Sequence, residues 1–333
     1  MATKVGPSLS RADRLRLTVA LVVVMCGLGP GARTSLATFG ASTTSPPSML
    51  ATAACFPGDV SPPTVDGTVI SKSGQFLSGA IRPGRPNEVF ASVSDTGCGA
   101  ATVRADVSQL TNGQTAFDLA AGSYAVGGTG FGYRSATLTA RGGLANGTYP
   151  YAITVTDVVG NGQTVTGFTV VVDGTRPSGA DVQTSNGGAT VGRAEAGDTI
   201  TFRYSEAVDP DRILAGWTGA ATPVVVRITN NGNNDRLVVR DAANAATVPL
   251  GTTRLGGNYV SARRDFGASG TPSMMTWGGD TVTIMLGTAS GATLTVAAPT
   301  TMAWPPSSTA TDAAGNPSRT TSTAESGPAD VEF

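Results

Sequence analysis

The chain has 333 residues and a formal net charge of −1, with 14% charged and 40% hydrophobic residues. Charged content of about 25% is usual, and Lys occurs here only as Lys4 and Lys72, so no broad basic surface exists to attract nucleic acid. Histidine is absent. That excludes Ser-His-Asp and Cys-His nucleophile pairs and every His-ligated metal site, and three cysteines are too few for a zinc site of four thiolates.

Residues 1–37 have the layout of an export signal. Arg11, Arg14 and Arg16 form a basic start, Leu15 to Leu28 is largely apolar, and Gly29-Pro30-Gly31 ends the run. Ser35-Leu36-Ala37 offers small residues at the positions a signal peptidase reads. The apolar run is short for a membrane span of about 20 residues, but extension to Ala32 allows an uncleaved N-terminal anchor. A cut after Ala37 removes five basic residues and Asp13, leaving 17 basic and 22 acidic ones. Cys26 follows Met25 rather than the small residue that precedes a lipidated cysteine. Cys55 and Cys98 remain after cleavage. In an oxidising exterior they are expected to form a disulfide, closing a loop of roughly 40 residues for about 3–4 kcal/mol on the chain-entropy model.

The segment "SLATFGASTTSPPSMLATAACFPG" resembles the stretch that follows the leader in bacterial proteins with SipW-dependent signals, which include matrix-fibre and surface proteins. It implies export. Residues 38–64, with Pro46-Pro47 and Pro62-Pro63, are expected to be an extended linker.

Residues 65–173 read as a first domain. Val89, Ala91 and Val93 alternate, as do Val103, Ala105 and Val107, and then Tyr151, Ile153 and Val155. Val165, Phe168, Val170 and Val172 complete a last strand. A period of two, broken by Gly, Asn and Asp clusters, predicts short strands in an all-β sandwich. Residues 173–179, "DGTRPSG", mark a boundary. Residues 174–333 read as a second domain. Ile200, Phe202 and Tyr204 alternate, "DPDRILAGW" predicts one helical turn starting at Asp209 or Pro210, and "PVVVRIT" and "DRLVVRD" form a hairpin about an Asn/Gly loop. Strands are also predicted at "DTVTIML" and "ATLTVAAP", and "ADVEF" could close the sheet.

"GDTITFRYSEAVDPDRI", Gly197 to Ile213, resembles the opening of bacterial Ig-like domains of surface and S-layer-associated proteins. The first domain is similar in layout to Ig-like modules that end in a D-x-x-G-N turn. The resemblance implies two Ig-like β-sandwich domains after a signal or anchor helix and a Pro/Ser/Thr-rich linker. It does not select among the functions this fold hosts.

The frame T-D-x-x-G-N occurs twice, at Thr156 to Asn161 and Thr311 to Asn316. The main reading is a turn, with Asp accepting nearby backbone N–H groups and Gly or Asn taking positive φ. Calcium is a second reading, with Asp157, Asn161 and Asp173 as candidate ligands, although hard cations want six to eight oxygens. Glu206, Asp209 and Asp211 form the densest acidic group; a solvated turn is set against ion binding or a glycosidase-type carboxylate pair. Trp217, Trp277 and Trp304 read as core, and Trp277 and Trp304 are also candidates for stacking on sugar rings.

These readings converge on an exported, non-enzymatic, secreted or cell-surface protein with a spacing, adhesion or assembly role. Its expected partners are other surface or matrix proteins or cell-wall polysaccharide, with no nucleic acid, and with membrane contact only through an uncleaved N-terminus. One alternative is a carbohydrate-binding module or carbohydrate-active enzyme; another is an extracellular fibre subunit.

Overall fold

A computed structural model describes residues 58–72 and 79–333. The expected leader, most of the linker and Cys55 lie outside the described residues. Among the described residues no helix is long and apolar enough to cross a membrane. The structure is nearly all β, in two sheets with separate cores.

The first module contains β1 (Thr64–Ser71), β2 (Ala80–Ile81), β3 (Pro86–Ser94), β4 (Ala100–Asp106), β5 (Phe117–Val126), β6 (Thr129–Ser135), β7 (Leu138–Thr139), β8 (Gly147–Asp157) and β9 (Gly162–Val172). Their order is β1-β3-β6-β5-β4-β8-β9-β2, with β7 beside β3. Among the described residues only the β2–β9 pair is parallel, Ala80 facing Val171. The sheet curls, because β1 also packs on β8 and β9. Val89, Ala91, Val103, Ala105, Ile153 and Val155 are buried in the resulting core, as alternation demands of a half-buried strand. The β5–β6 hairpin carries no such aliphatic alternation. β6 pairs beside β3, Phe90 opposite Arg134, and the Phe90 ring lies 5.8 Å from Phe131 and 6.5 Å from Tyr124.

The second module contains β10 (Gly179–Ser185), β11 (Thr199–Tyr204), α1 (Pro210–Ile213), β12 (Thr222–Thr229), β13 (Arg236–Asp241), β14 (Thr253–Arg254), β15 (Arg264–Phe266), β16 (Ser273–Trp277), β17 (Thr281–Met285), β18 (Ala303–Trp304) and β19 (Thr323–Ala324). The order is β10-β11-β17-β16-β12-β13-β14-β18-β19, with β15 beside β12. The β12–β13 hairpin pairs in register, Val226 opposite Val239. The two ends of the path meet: Thr323 Oγ1 donates to the Gly179 carbonyl at 2.9 Å. In α1, Asp209 is the N-cap and accepts from Asp211 N at 3.1 Å, with Pro210 in the first turn, where its missing N–H costs nothing.

Two predicted strands are absent. Residues 292–299 form only the isolated bridge Arg193–Thr295, and "ADVEF" contributes only the bridge Thr300–Asp330. The reason is where their backbone bonds go. Leu294 N donates to the Tyr259 carbonyl and Val296 N to the Gly192 carbonyl, so the chain crosses loops instead of running along a neighbouring strand.

Trp304 organises the second core. It is fully buried, its Nε1–H donates to the Leu250 carbonyl at 2.6 Å, and its ring lies 5.0 Å from Phe202 and 4.9 Å from Tyr204. Trp304→Ala should therefore destabilise the protein by about 3–5 kcal/mol. Urea unfolding followed by tyrosine fluorescence checks this, and a loss below ~1 kcal/mol would place the ring outside the core.

Candidate functional site

Both T-D-x-x-G-N frames fold into the same loop. In the first, which joins β8 to β9, Asp157 N donates to the Asn161 carbonyl at 3.0 Å. Asp157 Oδ1 accepts from the backbone N–H groups of Val159, Gly160 and Asn161 at 2.9, 2.7 and 2.8 Å. Asp157 Oδ2 accepts from Asn161 Nδ2 at 2.7 Å. Gly160 takes φ 101°, a conformation that costs a residue without Cβ nothing. In the second loop, Asp312 N donates to the Asn316 carbonyl at 3.2 Å, and Asp312 accepts from Asn316 N and Asn316 Nδ2, both at 2.8 Å. Here the flanks make only the bridge Thr311–Pro317, in keeping with the sparse apolar residues around Asp312.

Each loop also grips the chain as it enters its own module. Asn161 Nδ2 donates to the Asp59 carbonyl at 3.0 Å, and Asn316 Nδ2 donates to the Asp173 carbonyl at 2.9 Å. Asp59 lies just ahead of β1 and Asp173 just ahead of β10. Arg176 adds to the second joint, with Nε donating to the Pro317 carbonyl at 2.9 Å.

Three carboxylates collect at each joint. Ligand atoms of Asp59, Asp95 and Asp157 lie within 4.8 Å of one another, and so do those of Asp173, Glu206 and Asp312. The members correspond: an acid from the entering segment, an acid just past β3 or β11, and the Asp of the loop. At the first joint Asp59 Oδ2 accepts from Cys98 N at 2.9 Å, and a Cβ on Gly97 would stand 1.9 Å from that oxygen, so a larger residue at 97 would displace the Asp59 carboxylate. The expected set of Asp157, Asn161 and Asp173 is thus divided between two joints. Asn161 and Asn316 present their amide N–H groups to the acids of their own loops.

The two loop carboxyls feel different fields. Burial pulls Asp157 up, but the amide and backbone N–H of Asn161, with those of Gly160 and Val159, outweigh it and hold the carboxyl below the usual range. At Asp312 burial wins over the bonds from Asn316 and Gly315, with Asp173 adding its charge, and the carboxyl is pushed up. Glu206 is pushed up to about 7, chiefly by burial and then by Asp173 and Asp312.

The remaining candidates have structural surroundings. Asp209 is fully buried as the α1 cap, and Asp211 Oδ1 accepts from Gly216 N at 2.7 Å. Trp304 is buried, so its ring face cannot stack on a sugar. Trp277 is partly buried and packs against the core beside Gly219. Trp217 is buried, its Nε1–H donating to the Ala220 carbonyl at 2.6 Å. Sequence reasoning missed Asp59 and Asp95 entirely, and did not connect Glu206 with Asp312.

No family model and no curated protein matches the chain. Among solved structures it is similar to a chimeric titin Z1Z2-Z1Z2 tandem functionalized with a GRGDS peptide from fibronectin, at 12% identity over 79% of this chain and 96% of that one, with a TM-score of 0.18. A likeness at that score fixes neither fold family nor function.

The raised Glu206 carboxyl makes a pH prediction. The folded state holds this proton more tightly than the unfolded chain, so the associated stability is full below pH of about 4.5 and is lost as pH rises through about 7. In chelator, the melting temperature should fall more between pH 5 and 8 in the parent than in Glu206→Gln. Parallel curves for the two proteins would show that Glu206 is not the titrating group.

Proposed function

We propose that the protein is exported and works outside the cell as a non-enzymatic tandem of Ig-like modules, holding surface or matrix components at a set spacing. The observation that carries this reading is the repeated grip of the loop on the entering chain, Asn161 on Asp59 and Asn316 on Asp173. A tandem serves as a spacer only where its joints are fixed, and a side-chain amide bonded to a linker carbonyl fixes direction as well as contact. Partners follow from the compartment: other surface proteins or wall polysaccharide. The Cys55–Cys98 disulfide belongs to the same reading. Cys98 is buried, and its backbone N–H bonds Asp59, only four positions beyond Cys55, so the entering segment runs beside it.

Calcium is proposed as the stiffener of the joints, with ligands revised to Asp59, Asp95 and Asp157 at one and Asp173, Glu206 and Asp312 at the other. Carboxylate oxygen suits a hard cation. Asp95 Oδ2 and Glu206 Oε1 are enclosed without a hydrogen-bond partner, and so is Oδ1 of the fully buried Asn316.

N-terminal sequencing of protein from culture fluid and cell wall tests export. Material beginning after Ala37, or an intact N-terminus in the membrane fraction, is expected; recovery only from the cytosol rejects the proposal. For the joints, calcium chloride should raise the melting temperature over chelator, and Asp157→Asn and Asp312→Asn should each remove part of that rise. An undiminished rise in both variants would dismiss calcium at the joints and leave the grip itself standing.

A further inference from the structure

A third group of acids lies in the second module, formed by the strap that follows β19. Ligand oxygens of Glu325, Asp330 and Glu332 lie within 4.8 Å of one another. The strap is tied down on two sides. Glu325 N donates to the Met302 carbonyl, Glu325 Oε2 accepts from Met302 N at 2.9 Å, and Thr300 N donates to the Asp330 carbonyl at 2.7 Å. On the other side Thr184 of β10 donates through Oγ1 to Glu332 Oε2 at 2.7 Å, and Gly192 N donates to the Phe333 carbonyl at 2.7 Å.

These bonds use one oxygen of each glutamate and leave the other. Glu332 is 1% exposed and Glu325 8%, yet Oε1 of each is enclosed with no hydrogen-bond partner. Among the described residues no ion pair reaches them. Two buried carboxyl groups facing one another are costly unless a proton or a cation lies between them, and Glu325 and Glu332 come within hydrogen-bonding reach only where one of them is protonated. A separate group points the same way. Tyr259 is fully buried, its ring meets Phe333 edge-on at 5.4 Å, and its hydroxyl has no hydrogen bond of ordinary geometry although Thr300 and Glu332 approach it. Oxygen atoms lacking hydrogen-bond partners thus gather where the strap meets the sheet. Asp330 is exposed and opens one side to solvent.

We propose that Glu325, Asp330 and Glu332 bind a calcium ion that fastens the strap 325–333 to the second module. The donors are all oxygen, with neither nitrogen nor sulfur, which selects a hard cation over zinc or copper. The unpartnered Oε1 atoms of the two glutamates supply the inner ligands and Asp330 closes the site from outside. It shares no residue with either joint and stands whether or not the joints take calcium.

The test is calorimetric titration of the full chain, stripped with chelator, using calcium chloride alone. Glu332→Gln should lose one binding event that the double variant Asp157→Asn, Asp312→Asn retains. In chelator Glu332→Gln should melt no lower than the parent, because the amide can donate to Glu325 where the parent needs a proton or an ion. An isotherm for Glu332→Gln equal to the parent's, or a parent that takes up no calcium, overturns the proposal. Asp330→Asn, at an exposed position, guards against a folding failure at 332. It should weaken the same event by about tenfold or more with an unchanged melting temperature in chelator, and unchanged affinity would count against the site.

Discussion

A linker that enters a β-module brings a carbonyl that needs a donor once it is covered. The structure meets this need in both modules with one side-chain amide. Asn161 and Asn316 each spend their N–H groups twice, on the carboxylate of their own loop and on the entering carbonyl. The carboxylate holds the loop closed, the closed loop aims the amide, and the amide sets the course of the linker. Removing the amide leaves a covered carbonyl and a covered carboxylate unsatisfied together, a penalty of about 1–3 kcal/mol for each group. The direction of β1 and of β10, and with them the first pairing in each sheet, descends from that contact.

The two copies keep the geometry and differ in field. Asp157 accepts three backbone N–H bonds on one oxygen, whereas Asp312 is held by the backbone N–H groups of Asn316 and Gly315. Fewer donors and a neighbouring Asp173 leave the second carboxyl on the side of burial. The flanks of the two loops differ as well. At the first joint the loop joins the long strands β8 and β9. At the second, the flanks make the bridge Thr311–Pro317 and a bond from Ser318 N to the Ala310 carbonyl at 2.9 Å without forming strands.

Much of the strand pattern was legible in the sequence, because Val103, Ala105 and Val107, or Ile200, Phe202 and Tyr204, have one face in a core and one in water. The β5–β6 hairpin was not, since its support comes from aromatic rings over Phe90 and Gly-rich strands carry no alternation. "ATLTVAAP" alternates without being a strand; its partners are loops, and periodicity cannot see partners. The loops themselves were readable as turns from Asp, Gly and Asn. The acid groups they join were hidden by distance: Asp59 and Asp157, or Glu206 and Asp312, share no local pattern and meet only through sheet topology. Tryptophan posed the reverse problem, since ring chemistry is the same on a surface and in a core, and Trp304 revealed its role only through Phe202, Tyr204 and Leu250.

The placement of acids bears on the stability of the fold. The chain is poor in charge, yet nine acids stand in three close groups, each short of cationic side chains. Coulomb repulsion in such groups is felt most where water is excluded, so each group lowers the stability of the empty fold. A ligand that binds only the folded state returns that stability in proportion to its concentration. Under the reading advanced above, the stiffness of both joints and the seating of the strap would then track the divalent cation of the medium. Inside a cell, where free calcium is scarce, the same joints would be loose, a condition that suits a chain still to be exported. Outside, the cation would lock joints and strap together, and the spacing between the modules would become a property of the medium as much as of the sequence.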